Sequence, residues 1–199
     1  MKILAFSDLH HDATRAAVLV QASVGADLVI GAGDFCNMRQ DLPGAMELLR
    51  DVAAPMLVIP GNAESAAELS AAADIRTQVL HGTDALIGGV RFFGLGYAVP
   101  APPFGDWSCN LSEDEAERLL NRCEGADVLI VHSPPLGLGD RISGGASVGS
   151  RAVLRAIERL QPDLVLCGHI HDSWGVTGTI GRSKVVNLGP TPNWFEIGA

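Results

Sequence analysis

Short apolar runs alternate with amphipathic segments along most of the chain. The runs contain no charged residue, which is typical of strands buried on both faces of a sheet. They span residues 3–6, 28–30, 56–59, 128–131 and 164–167. Between the runs, apolar residues recur with helical spacing at about residues 13–24, 42–52, 64–73, 112–123 and 148–160. This alternation predicts β–α repeats that build a sheet covered on both faces.

A second group of predicted strands has short turn connections instead of helices. These strands span residues 77–80, 84–87, 90–95, 175–180 and 184–188, and Gly88-Gly89 is one of the turns. Hairpins of this kind usually pair antiparallel. The sequence therefore predicts a mixed α/β architecture.

Polar residues mark the starts of three predicted helices. Ser112 is followed three residues later by Glu115, which is the spacing of a capping box. We also expect Asp12 to cap the first helix and Asn62 the third.

The composition is that of a compact folded protein. Hydrophobic residues make up 47% and charged residues 19% of the 199 residues, which excludes a disordered chain. The length fits a single domain over residues 1–199. The net charge of −9 matches the phosphate backbone of nucleic acid poorly, so we expect no long nucleic acid as a partner.

The sequence offers no targeting or membrane segment. No apolar run approaches the roughly 20 residues of a membrane span, and the N-terminal run is too short for a signal peptide. The four cysteines form no C-x-x-C pair and fit reduced, structural thiols, and we expect Cys36 and Cys167 to be buried. We therefore expect a cytoplasmic protein with no membrane partner. The oligomeric state does not follow from the sequence.

Seven polar side chains follow five of the predicted strands. Ligands of open α/β sheets bind beyond the carboxyl ends of the strands, so we expect these side chains to converge. They are Asp8, His10, Asp34, Asn62, His132, His169 and His171. Alone, the pair His169 and His171 also fits two loop histidines. Seven oxygen and nitrogen ligands can hold two divalent ions about 3.5–4 Å apart. A set without thiolate favours Mn²⁺ and leaves Fe, Zn²⁺, Ni²⁺ and Co²⁺ open.

These residues stand in a series of motifs that resembles the calcineurin-like metallophosphoesterase superfamily. The motifs are Asp8-Leu9-His10, Gly33-Asp34, Gly61-Asn62, His132 and Gly168-His169-Ile170-His171. Segments 132–137, 140–141, 148–149 and 174–175 are most similar to the small metallophosphoesterase-domain phosphodiesterases of that superfamily. The resemblance implies a four-layer αββα sandwich of two mixed β-sheets flanked by helices.

The resemblance also implies a role for each of the seven side chains. Asp8, His10 and His171 hold one metal ion, Asn62, His132 and His169 hold the other, and Asp34 bridges the two. A hydroxide between the ions attacks phosphorus, with Asp34, Asn62 and His132 as catalytic residues. The implied substrate is a small phosphate ester, and a phosphodiester such as a cyclic nucleotide is favoured.

One position departs from the family pattern. The third motif is commonly G-N-H-[DE] in the family, and here Ala63 replaces its histidine. General acid catalysis contributes about 10²–10⁴-fold, so esters with poor leaving groups are expected to suffer most. His11 and His81 are candidate replacement donors, although both also fit solvated or capping histidines. Arg141 is the best candidate for a phosphate-binding arginine, ahead of Arg15 and Arg39, and each also fits a solvated charge.

Two other interpretations compete with a metal-dependent phosphoesterase. Residues 145–149 match G-x-S-x-G, the nucleophile elbow of α/β-hydrolases, but residues 141–145 before it form no predicted strand. The second alternative is a catalytically weak or degenerate scaffold of the same fold, which the loss of the histidine at position 63 favours. The seven intact ligand residues favour the enzyme.

Overall fold

The computed structural model describes residues 1–198, which form two β-sheets with helices on their outer faces. The predicted domain, residues 1–199, also includes Ala199, which lies outside the described residues.

The first sheet has five strands. They are β1 (Lys2–Phe6), β2 (Leu28–Gly31), β3 (Met56–Val58), β4 (Thr77–Val79) and β11 (Asn193–Glu196). Their order is β11-β1-β2-β3-β4, in which β1 to β4 are parallel and β11 is antiparallel to β1.

The second sheet has six strands. They are β5 (Thr83–Ile87), β6 (Val90–Leu95), β7 (Val128–Val131), β8 (Leu164–Cys167), β9 (Thr177–Ile180) and β10 (Ser183–Asn187). Their order is β5-β6-β7-β8-β10-β9, with antiparallel pairs at both edges and parallel pairs in the centre.

Alternation along the strands divides the core into three layers of side chains. Odd positions such as Ile3 of β1 face the other sheet, where they pack in one cluster with residues such as Phe92 and Ile130. Even positions such as Leu4 face the helices on the outside of the first sheet. A third cluster lies between the second sheet and its helices. The prediction of a four-layer αββα sandwich is confirmed.

The helices are shorter than the predicted ones. They are α1 (Ala13–Ala22), α2 (Leu42–Glu47), α3 (Ala66–Ala72), α4 (Glu113–Leu120) and α5 (Arg151–Leu160). The Ser112–Glu115 capping box and the Asp12 cap are confirmed. The prediction that Asn62 caps the third helix is wrong, because α3 begins later, at a capping box formed by Ser65 and Glu68.

Two strand predictions need correction. The five buried runs do not form one sheet, because β1, β2 and β3 lie in the first sheet and β7 and β8 in the second. The placement of residues 77–80 among the antiparallel hairpins is wrong, because β4 pairs parallel with β3. In addition, β11 is a strand that the sequence pattern does not predict.

Other expectations concern the cysteines and the membrane. All four cysteines are free thiols, and Cys36 and Cys167 are buried as predicted. Burial beside Glu64 raises the pKa of the Cys36 thiol to about 12, so it is an unreactive core residue. Among residues 1–198, none of the helices combines the length and apolar character needed to cross a bilayer.

Candidate metal centre

The predicted ligand residues converge where the carboxyl ends of β1 to β3 meet those of β7 and β8. Asp8, His10 and His171, called here the first group, each offer a ligand atom, and these atoms lie within 4.8 Å of one another. Asp34, His132 and His169, the second group, do the same. The side-chain oxygen of Asn62 lies 3.2 Å from Nε2 of His132. All seven predicted side chains therefore lie at one site.

Asp34 connects the two groups. Its Oδ2 lies 3.7 Å from Nε2 of His10, and its Oδ1 lies 3.5 Å from Nε2 of His132. The two oxygens of one buried carboxylate thus face different groups, which is the arrangement that a bridging ligand requires.

Backbone carbonyls fix which nitrogen two of the imidazoles present. Nδ1 of His132 lies 2.8 Å from the carbonyl of Ala32, and Nδ1 of His10 lies 3.2 Å from that of Cys36. Because a carbonyl only accepts, each Nδ1 donates and each Nε2 is left as the ligand atom. Nε2 of His10 and Nε2 of His171 approach to 3.1 Å. Nitrogen atoms converging beside a carboxylate fit a divalent cation.

The backbone turns sharply at the ligand residues. Asp8, His10, Asp34 and His169 have φ values of 53°, 50°, 57° and 67°, in the left-handed region. Each costs about 1 kcal/mol for a residue other than glycine. Hydrogen bonds between loops offset the strain: Asp8 N donates to the carbonyl of Gly33, and His10 N donates to that of Asp34. Such strain is typical of functional sites and re-aims the side chains beyond each strand end.

Two glycines allow the loops to approach closely. A Cβ at Gly168 would lie 2.5 Å from Oγ of Ser7 and 2.6 Å from Oδ2 of Asp8. A Cβ at Gly61 would overlap the backbone N and the carboxylate of Asp34. The glycines before Asn62 and His169 are therefore required by packing.

Glu64 holds the loops that carry Asp34 and Asn62. It is fully buried, and its Oε1 accepts hydrogen bonds from Asp34 N at 2.8 Å and Gly61 N at 2.6 Å. Its Oε2 accepts from Phe35 N at 3.1 Å and Cys36 N at 3.4 Å. The sequence pattern places Glu64 only at the start of a helix. The available signal was the acidic position that ends the motif G-N-H-[DE], which Glu64 fills here.

Burial and the neighbouring charges shift the pKa values of the second group. Burial opposes the charged form of His132, but the Asp34 carboxylate outweighs it and raises the pKa of His132 to about 9. Burial alone would raise the pKa of Asp34, but His132 holds it below its usual range. Burial, with His132 nearby, lowers the pKa of His169 to about 3. His169 is therefore a neutral imidazole at neutral pH, the form that binds metals.

The raised pKa of His132 gives an expected pH dependence of metal binding. A bound ion requires a neutral imidazole, so the ion must displace a proton wherever His132 is charged in the free protein. The affinity for Mn²⁺ is expected to rise about tenfold per unit from about pH 7 to about pH 9 and then level off. Calorimetric titration of the metal-free protein across this range measures it. The same rise of affinity with pH is expected in His81→Ala. An affinity that does not change with pH in the wild type would contradict the assignment of His132 as a metal ligand with a raised pKa.

The remaining sequence candidates lie outside the two groups. Nε2 of His11 lies 3.9 Å from Oδ2 of Asp41, and its role as a proton donor stays a prediction. Arg141 is exposed and donates from Nη1 to the carbonyl of Gly145, so its role in binding phosphate also stays a prediction. His81 packs on Tyr97 with ring centroids 4.3 Å apart, and its Nδ1 accepts from Gly96 N. This packing joins the loop after β4 to the segment after β6 and favours a structural role for His81.

The other candidate arginines are engaged with neighbouring side chains. Arg39 donates from Nε and Nη2 to Glu68. The guanidinium of Arg15 lies over the ring of Trp174, with its central carbon 5.6 Å from the ring centroid.

An aromatic pair borders the second group. The rings of Phe104 and Trp107 are nearly parallel, at 4° with centroids 5.8 Å apart. Phe104 also meets the ring of His169 edge to face at 6.2 Å and is 47% exposed. A planar group bound beside His169 would therefore find an aromatic surface.

Comparison with known proteins identifies related sequences. A family model described as the calcineurin-like phosphoesterase superfamily domain matches residues 1–196. UPF0046 protein K07C11.7 of Caenorhabditis elegans is 30% identical over 94% of this chain and 69% of its own length. Human metallophosphoesterase domain-containing protein 1 is 34% identical over 54% of this chain and 33% of its own. A second C. elegans relative, UPF0046 protein T07D4.2, is 35% identical over 49% of this chain and 26% of its own length. The match therefore spans only part of the length of each of these relatives.

Solved structures share the fold. TT1561 of Thermus thermophilus superimposes with a TM-score of 0.75 at 19% identity, over 98% of this chain and 97% of that one. A dimetal phosphatase from Danio rerio gives a TM-score of 0.58 at 14% identity, over 96% and 88% of the two chains. At these identities the likeness concerns the fold alone.

Proposed function

Because the chain belongs to the calcineurin-like phosphoesterase superfamily, we propose that it is a dinuclear metal-dependent hydrolase of small phosphate esters, with phosphodiesters as its preferred class. The observation that carries this proposal is the pair of ligand groups joined by Asp34. The finer assignments below, of ligands, ions and substrate, belong to the same proposal.

The seven side chains divide between two ions. Asp8, His10 and His171 would hold one ion, Asn62, His132 and His169 the other, and Asp34 both. The oxygen and nitrogen donor set favours Mn²⁺, with Fe, Zn²⁺, Ni²⁺ or Co²⁺ as alternatives. Two such ions, when bound, supply a water of lowered pKa and positive charge against the phosphate oxygens.

The residues of the chain supply orientation. Asp34 Oδ1 accepts a hydrogen bond from Ala63 N at 2.8 Å, and Glu64 holds Asp34 N, so the bridging carboxylate is fixed from two sides. His132 and His10 are fixed through their Nδ1 atoms. This pre-organisation means that little reorganisation accompanies the reaction.

Position 63 supports a preference for diesters. The side chain of Ala63 is buried and can neither donate a proton nor hydrogen-bond a phosphate oxygen. A monoester dianion carries one more negative charge than a diester, and no imidazole at this position stabilises it. The same absence favours good leaving groups, because no side chain at position 63 protonates the departing oxygen.

The aromatic pair supports a substrate with a planar group. Base–aromatic stacking contributes about 1–3 kcal/mol per base. Phe104, exposed beside His169, offers such a surface. Cyclic nucleotides are therefore the first physiological class to test.

The proposal is tested with metal-free protein reconstituted with Mn²⁺. We expect hydrolysis of bis(p-nitrophenyl) phosphate with kcat/KM about tenfold or more above that for p-nitrophenyl phosphate. Both esters release the same phenol, so the leaving group is held constant while the charge and the second ester group on phosphorus change. Cyclic nucleotides and dialkyl diesters complete the panel, and EDTA should abolish all turnover.

Two outcomes of this experiment would contradict the proposed function, in whole or in part. No turnover of any ester with Mn²⁺, Ni²⁺, Co²⁺ or Zn²⁺ would favour the alternative, a scaffold protein of this fold. Turnover with a preference for monoesters would retain the hydrolase but contradict the role given to Ala63.

A further inference from the structure

Trp174 contacts two side chains of the first group. It follows the 3₁₀ turn His171–Ser173, and its indole Nε1 donates to Oδ2 of Asp8 at 3.0 Å. Its ring lies against the imidazole of His171, with centroids 4.3 Å apart and planes inclined by 33°. One side chain therefore touches ligands that come from opposite ends of the chain.

The hydrogen bonds to Asp8 make its two oxygens unequal. Oδ2 accepts from Ser7 Oγ at 2.6 Å as well as from Trp174, whereas Oδ1 lies 3.9 Å from Nε2 of His171. The backbone N of His169 lies 3.0 Å from Oδ1 and 3.2 Å from Oδ2. Two side-chain donors thus occupy Oδ2, which leaves Oδ1 as the oxygen that faces the first group.

The ring contact restricts His171. The side chain of His171 is 48% exposed, so the surrounding core does not fix its rotamer. His10 is held by the carbonyl of Cys36, and His132 by that of Ala32. For His171 the indole ring takes the place of such a contact. Partners of this kind, next to a ligand but not bound to the ion, typically change metal affinity by about 10–100-fold.

We propose that Trp174 is a positioning residue for the ion held by Asp8, His10 and His171. It acts through Asp8, by occupying Oδ2, and through His171, by covering one side of the imidazole. The inference rests on the two-ion site proposed above and goes beyond it, because it assigns to one residue a selective effect on one of the two ions.

The test is a titration of the metal-free protein with Mn²⁺. Calorimetry measures the affinity of each binding event, and no substrate is present. Trp174→Phe keeps a ring beside His171 and removes the indole N–H. We expect one of the two binding events to weaken by about 10–100-fold while the other is unchanged. Trp174→Tyr also lacks the indole N–H and is expected to weaken the same binding event. It serves as the test variant if Trp174→Phe does not fold.

A matched variant separates positioning from general damage. Trp194 lies on β11 and packs against Lys2, whose Nζ is 4.8 Å from its ring centroid, at the amino end of β1. Trp194→Phe is expected to leave both binding events unchanged. Thermal unfolding in EDTA shows whether a variant has lost stability in the absence of metal.

The outcomes distinguish this inference from the proposed function. A wild-type protein that binds no pair of ions would overturn the proposed function and this inference together. Two ions in the wild type and unchanged affinities in Trp174→Phe would overturn the positioning role alone. Equal weakening of both ions would overturn it too, because a general loss of structure would explain that result.

Discussion

Replacing Asp34 with asparagine is expected to lower kcat of the Mn²⁺-loaded protein for bis(p-nitrophenyl) phosphate by about 10³-fold. The two oxygens of Asp34 face His10 and His132 separately. The amide has nearly the same size, but it is neutral and its nitrogen cannot bind a cation, so one ion loses a ligand. A metal ion contributes several kcal/mol of charge stabilisation in such a reaction, and each 1.4 kcal/mol is about tenfold in rate.

The measurement has two parts. Steady-state kinetics give the loss of kcat, and the metal content after dialysis is expected to fall from two ions to one. Asp163→Asn, the same change at an exposed aspartate just before β8, should retain both ions and full activity. An Asp34→Asn protein with two ions and more than about a tenth of wild-type kcat would exclude a bridging role.

The positions of the candidate ligands could be predicted because two independent signals coincide. Strands buried on both faces appear in the sequence as uninterrupted apolar runs, and the residue at which each run ends is therefore visible. His132 follows directly after such a run, and Asp8 follows one residue beyond the end of another. Ligands bind beyond the carboxyl ends of strands. The convergence of the candidate ligand residues could therefore be predicted without knowing which strands pair with which.

The division of these strands between two sheets could not be predicted. The runs at residues 56–58 and 128–131 have the same apolar character, yet β3 lies in the first sheet and β7 in the second. Which strands pair depends on contacts between distant segments, and the composition of a run does not encode it. Strand β11 was missed for a related reason: it is a short edge strand of alternating burial that follows Pro192.

The contacts that support the ligands were also beyond sequence reasoning. Trp174 and Asp8 are 166 residues apart, and the hydrogen bond between them follows no local pattern. The left-handed conformations at Asp8 and Asp34 likewise follow from hydrogen bonds between loops and not from local propensity. Aspartate adopts this conformation more readily than most residues, but the sequence alone does not show which aspartate does so.

Replacing Glu64 with alanine is expected to lower the free energy of unfolding by about 4 kcal/mol or more, because each buried donor left without a partner costs about 1–3 kcal/mol. Four backbone N–H groups, those of Asp34, Phe35, Cys36 and Gly61, donate to this one carboxylate. Burial and the nearby Asp34 raise the pKa of Glu64 to about 7, while the hydrogen bond from Gly61 opposes the shift. The donors around Glu64 therefore offset only part of the desolvation of its carboxylate.

Urea unfolding in EDTA measures this effect apart from metal binding. Glu64→Gln keeps the volume but turns an NH₂ group toward backbone donors, so it is expected to lose about half as much stability as Glu64→Ala. Glu47→Ala, at an exposed glutamate of α2 paired with Arg50, should change stability by no more than about 1 kcal/mol. If Glu64→Ala unfolds at the same urea concentration as Glu47→Ala, water or a rearranged loop satisfies the four donors, and Glu64 does not hold the loops that carry Asp34 and Asn62.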